Sequence, residues 1–235
     1  MTYGVILAGG IGSRMGGDKP KQYLTINDKP IIIYTIEKFF AEPAFEKIIV
    51  LCPKQWVEHT KNLIEKYIAP AQSRIAVIEG GDERNETIMN AIKFIEDEGN
   101  LDENTIIVTH DSVRPFVTHR IIQENIASCE KYGACDTVIP ATDTIVESED
   151  AKAISSIPDR RKMYQGQTPQ SFKALRLKEV YNSLTADEKT ILTDAAKILV
   201  LKGDKVALVE GETFNIKITH PYDLRIAKSL LEDEE

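Results

Sequence analysis

The 235-residue chain is 42% hydrophobic, enough to fill the core of one domain spanning 1–235. Its formal charge of −8 argues against nucleic acid as a partner, because polyanion binders carry a basic face. Cys52, Cys129 and Cys135 are odd in number and lack C-x-x-C spacing, which argues against a disulfide framework or a zinc site. No leader-like segment, lipidation motif or long apolar run is evident, so the expectation is a cytoplasmic protein with no membrane partner.

The chain opens on Val5, Ile6, Leu7 and Ala8, an apolar strand that breaks into Gly9, Gly10 and Gly12. There the backbone can approach an anion and aim N–H groups at it. Arg14 offers a planar fork for phosphate oxygens, and Lys19 and Lys21 bracket Pro20 as point charges. A dinucleotide fingerprint on Gly10 and Gly12 would need a third glycine where Met15 stands. A P-loop from Gly12 meets Gly17 but then Asp18 in place of lysine. The stretch resembles instead the L-A-G-G-x-G-x-R-M…K-P-K signature of the sugar nucleotidyltransferases, with the R-M-x-x-x-x-P-K-Q-Y ending of cytidylyltransferases acting on polyol phosphates. A generic glycine turn carrying solvated cations is the alternative.

Spacing then predicts a helix over residues 31–40, with Asp28 or Lys29 near its cap and Pro30 in its first turn. A buried strand follows over 47–51, a surface helix over 55–67 and a strand over 75–78. Such alternation implies an α/β fold: a Rossmann-like, open, mostly parallel twisted sheet with helices on both faces. Gly80 and Gly81 end the third strand and lead through Asp82, Glu83, Arg84, Asn85 and Glu86 into a helix with Ile88, Ile92 and Ile95 on one side. Strand ends that meet helix starts are where open α/β sheets bind ligands. The resemblance continues, since G-G-x-E-R with a hydroxyl three positions on, here Thr87, is how these cytidylyltransferases close over cytosine. An Asp82-capped helix with a solvated arginine is the plainer alternative.

An apolar strand over 105–108 next delivers His110, Asp111, Ser112 and Arg114 to its C-terminal edge. Asp111 there can bind magnesium, Ser112 can donate to a ribose or phosphate oxygen, and Arg114 can pair with Asp111. His110 reads as a packing residue. A helix over 118–132 has Thr118 as its cap and Cys129 on its core face, and a strand covers 136–140. Hydrophobic residues then thin out over 141–165, where two short exposed strands, 142–147 and 153–157, form a protruding β-arm. In the family this arm exchanges with a second subunit, which implies a homodimer. The D-R…T-P-Q pattern aligns the family's substrate-positioning arginine with Arg160, and Thr144 and Thr168 match positions lining the polyol-phosphate pocket. Helices over 172–183 and 193–201 and a strand over 206–209 follow. The family's N-I-K-[IV]-T…D-L ending places Lys217 among the residues that position the substrates. Alternation of Ile216, Lys217 and Ile218 puts the lysine opposite two core residues at a sheet edge, ahead of a last helix from Asp223.

A phosphate monoester attacking the α-phosphorus of a nucleoside triphosphate is already ionised, so the barrier lies in uniting two polyanions and in the charge that builds between them. Arg14, Lys21, Arg160 and Lys217 are the catalytic candidates for that task, with Mg²⁺ as cofactor near Asp111. The resemblance implies CMP transfer from CTP. The acceptor expected is D-ribitol 5-phosphate, which would give CDP-ribitol for teichoic or related polymers of the cell wall, because Ser112 and Phe214 depart from the methylerythritol branch's H-D-A-A-R and its aspartate before N-I-K. A reductase would then supply the ribitol phosphate. The alternatives are 2-C-methyl-D-erythritol 4-phosphate as acceptor and a non-catalytic nucleotide-binding module.

Overall fold

The computed structural model describes residues 1–10, 19–68 and 72–232, so Gly12 and Arg14 lie outside the described residues. In chain order its strands are β1 (Thr2–Leu7), β2 (Thr25–Ile26), β3 (Lys29–Pro30), β4 (Lys47–Cys52), β5 (Ile75–Glu79), β6 (Ile106–Asp111), β7 (Ala134–Pro140), β8 (Tyr164–Lys173) and β9 (Ala207–Glu210). The α-helices are α1 (Ile31–Phe40), α2 (Val57–Tyr67), α3 (Arg84–Asp97), α4 (His119–Tyr132), α5 (Ala174–Ser183), α6 (Ala186–Thr190), α7 (Ala196–Leu201) and α8 (Pro221–Glu232). Seven strands form one mixed sheet in the order β5-β4-β1-β6-β8-β7-β9. The β5-β4-β1-β6 half and the β7-β9 pair are parallel, and β8 runs antiparallel to both β6 and β7. Among the described residues no helix is long and apolar enough to cross a membrane.

Why the apolar runs become central strands follows from burial on both sides. Ile48, Ile49, Val50, Leu51 and Cys52 of β4 are all fully buried, and the period of two sends successive side chains to opposite faces. Ile6, Ile48 and Val50 join Ile33, Ile36 and Phe39 of α1 and Ile122 of α4 in one core layer. Val5, Ile49 and Leu51 join Ile88, Ile92 and Ile95 of α3, Phe172 and Leu177 in the other. Gly4 makes the first layer possible: a Cβ there would stand 2.7 Å from Cδ1 of Phe39. Helix α4 begins at Thr118, whose hydroxyl accepts the Ile121 N–H at 3.2 Å, and ends at Gly133 with φ of 86°. Cys129 sits in the core as expected.

Four expectations need correction. No helix begins at 172: residues 164–173 form β8, ten residues long, with Phe172 fully buried on it and α5 starting at Ala174. Its composition hides it, because Gln167, Thr168, Gln170 and Ser171 are buried through hydrogen bonds instead of apolar packing. Pro169, without an N–H to donate, falls in the stretch where the register against β7 shifts. In the arm, the two expected strands reduce to a single bridge between Glu147 and Ser156, and Val146, Ile154 and Ile157 are half exposed or more. Residues 216–218 form no strand; one backbone bond, Ile218 N to Val113 O at 2.9 Å, holds them beside β6. The cap of α1 is Pro30 itself.

Candidate active site

The chain leaves β1 for β4 on one side and returns to β6 on the other, so the loops at the ends of β1 and β6 diverge and open a crevice between them. A cleft of about 290 Å³ occupies this place. Leu7, Gly9 and Gly10 form one wall and Gly81, Asp82, Glu83, Arg84 and Thr87 another. Asp111, Ser112, Val113, Lys21, Gln22 and Lys217 complete the lining. No histidine or cysteine is among these residues, so the described cleft offers cations and backbone groups and no such nucleophile or base.

The glycine wall owes its shape to the start of α3. A Cβ on Gly81 would lie 2.5 Å from Cβ of Glu86 and 3.0 Å from the Thr87 nitrogen, so only glycine fits between strand end and helix. The Glu86 carboxylate accepts the N–H groups of Asp82 and Glu83 at 3.1 and 3.3 Å, and the cap position belongs to Glu83, not Asp82. The Thr87 hydroxyl accepts the Gly81 N–H at 3.0 Å and donates to the Glu83 carbonyl at 2.9 Å, so it braces the turn. The positive end of α3 thus meets the cleft.

Lys21 arrives by a different route. Nε2 of Gln22 donates to the Ala8 carbonyl at 2.7 Å, and the Tyr23 ring stacks on Trp56 at 4.7 Å with its hydroxyl 2.8 Å from Thr60 Oγ1. These anchors fix the short turn Lys21–Tyr23 against the end of β1.

At the floor, three cations meet one carboxylate. Nζ of Lys217 lies 2.9 Å from Oδ2 of Asp111, Nε of Arg114 lies 3.6 Å from the same oxygen, and Nη2 of Arg84 lies 3.5 Å from Oδ1. Burial alone would raise the Asp111 carboxyl, but Arg84, Lys217 and Arg114 outweigh it and hold it well below the ordinary carboxylate range. Arg114 also donates to the Asn215 carbonyl at 2.8 Å, and Asn215 Nδ2 donates to Gln167 Oε1 and the Thr168 carbonyl, which sets the course of the chain into Lys217. His110 is fully buried between the Arg114 carbonyl and Thr168 Oγ1; burial lowers it to about 4, so it is neutral near pH 7 and packs as expected.

Of the residues singled out in the sequence, Leu7, Gly9, Gly10, Lys21, Gly81, Asp82, Glu83, Arg84, Thr87, Asp111, Ser112 and Lys217 line this cleft together. Ala8 contributes its carbonyl to the Gln22 anchor, Ile88 is core, Glu86 braces the turn and Asn85 is buried in the first turn of α3. Thr168 lies beneath the cleft, its hydroxyl accepting the Asp111 N–H at 3.1 Å. Thr144 and Arg160 are exposed on the arm, where Arg160 Nη1 donates to the Thr142 carbonyl at 2.7 Å, and neither lines the cleft. Sequence reading missed Gln22 and Val113 in the lining and Gln170 behind it. Gln22 and Gln170 stood inside the P-K-Q-Y and T-P-Q motifs, the signal that marked their place.

The family model described as "IspD: 2-C-methyl-D-erythritol 4-phosphate cytidylyltransferase" matches residues 2–233. The solved 2-C-methyl-D-erythritol 4-phosphate cytidylyltransferase of Francisella tularensis is 27% identical with a TM-score of 0.80, over 97% of this chain and 98% of that one. That of Thermus thermophilus is 26% identical with a TM-score of 0.72, over 99% and 100%. A 4-diphosphocytidyl-2C-methyl-D-erythritol synthase from Anaerococcus prevotii, 24% identical over 99% and 96% with a TM-score of 0.80, shares the fold.

Proposed function

The chain belongs to the IspD family of cytidylyltransferases and is therefore a nucleotidyltransferase, and we propose that it transfers CMP from CTP to 2-C-methyl-D-erythritol 4-phosphate with release of pyrophosphate. The observation that carries the chemistry is the cluster of Arg84, Arg114 and Lys217 around Asp111, with Lys21 across a glycine-walled cleft at the switch point of the sheet. The family match and the two neighbours above 25% identity support this acceptor over the D-ribitol 5-phosphate expected from Ser112 and Phe214. Ribitol phosphate stays as the second reading on one observation, the partly exposed Phe214 beside Asn215 where the methylerythritol branch carries an aspartate.

In this reading an oxygen of the acceptor phosphate bonds to the α-phosphorus of CTP, and the bond from that phosphorus to the bridging oxygen breaks to free pyrophosphate. The acceptor phosphate is ionised near neutral pH, so no proton need be removed. Lys21 and Lys217 stabilise the charge that accumulates on the phosphates, a role the motif also assigns to Arg14, which lies outside the described residues, and the glycine wall admits the base and ribose. Asp111 is the residue that would hold a magnesium ion brought in with the triphosphate, its carboxylate now facing Lys217, Arg114 and Arg84. Mg²⁺ so held would neutralise phosphate charge. The arm over 141–165, with Thr144 and Arg160, completes the acceptor site by reaching a second copy in a homodimer; a supplying reductase belongs to the ribitol reading alone.

The test is pyrophosphate release by the purified protein with CTP and Mg²⁺, run in parallel with both polyol phosphates. Turnover with methylerythritol phosphate is the expected result. Turnover with ribitol 5-phosphate alone would replace it by the second reading, and silence with both would overturn each.

A further inference from the structure

Behind the cation cluster stands an acidic group that the transfer chemistry does not itself call for. Asp136 lies on β7 opposite Gln170 of β8, and its Oδ1 accepts Nε2–H of Gln170 at 3.0 Å. The other end of the same amide, Oε1, accepts Nη1–H of Arg84 at 3.3 Å, and Nη2 of that guanidinium faces Oδ1 of Asp111 at 3.5 Å. Gln170 is almost wholly buried, so water does not compete for either end. A primary amide has a donor end and an acceptor end, which makes its orientation a choice between two states. With nitrogen toward Asp136, oxygen faces Arg84; reversed, N–H groups would oppose the N–H groups of the guanidinium.

We propose that Asp136 is a positioning residue for CTP: by selecting the orientation of the Gln170 amide that presents oxygen to Arg84, it holds that guanidinium against Asp111 at the wall of the cleft. The inference rests on the cleft being the CTP site and is independent of which polyol phosphate is the acceptor.

The state of Asp136 gives the device a pH signature. Burial pushes its carboxyl up and Gln170 draws it down; Asp194, before α7, pushes up again and Arg84 draws down, leaving it at about 7. Arg114 also stands within its field, and the neighbouring Cys135 thiol is itself raised by burial. The carboxylate form holds the amide nitrogen more strongly than the acid does, so the clamp tightens as pH rises through neutrality.

The experiment compares wild type with Asp136→Asn in CTP dissociation constant, KM for CTP, kcat and melting temperature between pH 6 and pH 8. Titration of the nucleotide phosphates is common to both proteins, so the ratio of their dissociation constants isolates Asp136. At pH 8 the variant is expected to bind CTP more weakly by on the order of tenfold, with kcat changed by less than about twofold, and the ratio is expected to shrink toward one at pH 6. A role confined to packing would move the melting temperature and leave that ratio independent of pH. Gln170→Met supplies the second variant: it should weaken CTP binding similarly, and the double variant should be no weaker than the worse single one. Equal affinities of wild type and Asp136→Asn at pH 8, a ratio that does not change with pH, or additive effects would overturn the proposal while leaving the cleft as the CTP site. Failure of the wild type to bind CTP would overturn both.

Discussion

Asp111 is where the charges of the cleft converge, and single residues around it carry distinct expectations. Lys217→Ala removes the cation nearest to Asp111 without disturbing core packing, so kcat should fall by about 10²–10³ while the melting temperature moves little, as steady-state assays and thermal melts would show. The two buried aspartates act on stability in opposite directions. Asp111, held below its unfolded value, contributes stability above the unfolded carboxylate range that is lost as pH falls through and below it. Asp136, held above its unfolded value at about 7, binds its proton more tightly folded than unfolded, so its contribution to stability declines as pH rises from about 4 to 7. The melting temperature of Asp136→Asn minus that of wild type should therefore become more positive from pH 5 to pH 8; a constant difference would refute the raised value. At this scale the sequence exposed the ionic residues and concealed the amides. Lys21, Asp111 and Lys217 are charges at motif positions, whereas Gln22, Gln167 and Gln170 matter only through partners 14 to 86 residues away in the chain. Thr168 shows the reverse error: a hydroxyl in the right motif, turned under the floor to hold the Asp111 backbone.

Among the elements, those whose burial follows a simple period were legible and those built on polar pairing were not. The run at β4, the Ile88-Ile92-Ile95 face of α3 and the cap of α4 are written locally and formed where expected. Strand β8 has no such pattern, because its neighbours are chosen by contacts with β6 and β7. Two variants test how elements hold the site. Thr118→Ala removes one capping bond at a residue outside the cleft lining and should cost about 1 kcal/mol in urea unfolding, with KM for CTP unchanged. Gly81→Ala places a methyl group against Glu86 at the start of α3; the backbone must yield, and KM for CTP should rise by more than about tenfold with a smaller change in stability.

For the molecule as a whole, the sheet order sets two neighbouring features on one edge: the cleft lies at the C-terminal ends of the parallel strands β1 and β6, and the arm leaves the same edge from the end of β7 and the start of β8. The β7–β8 pairing runs up to Pro140 and Tyr164, and the bond from Ala141 N to Met163 O at 3.0 Å closes the base of the arm. Replacing residues 144–160 by a short Gly/Ser link is therefore expected to leave CTP affinity within about threefold, by calorimetry, and to abolish transfer to the polyol phosphate. A collapse of CTP affinity would mean that the arm supports the cleft directly. The open, mostly parallel sheet was legible in the sequence from strand and helix alternation; the strand order that makes the switch point, and the place of β8 between β6 and β7, were not, since long-range pairing leaves no local mark. That closed base is also a natural splice junction. None of the residues beyond it lines the cleft, so, on the proposed role of the arm, grafting arms between relatives onto one body is expected to change the polyol accepted while the cytidine donor stays the same.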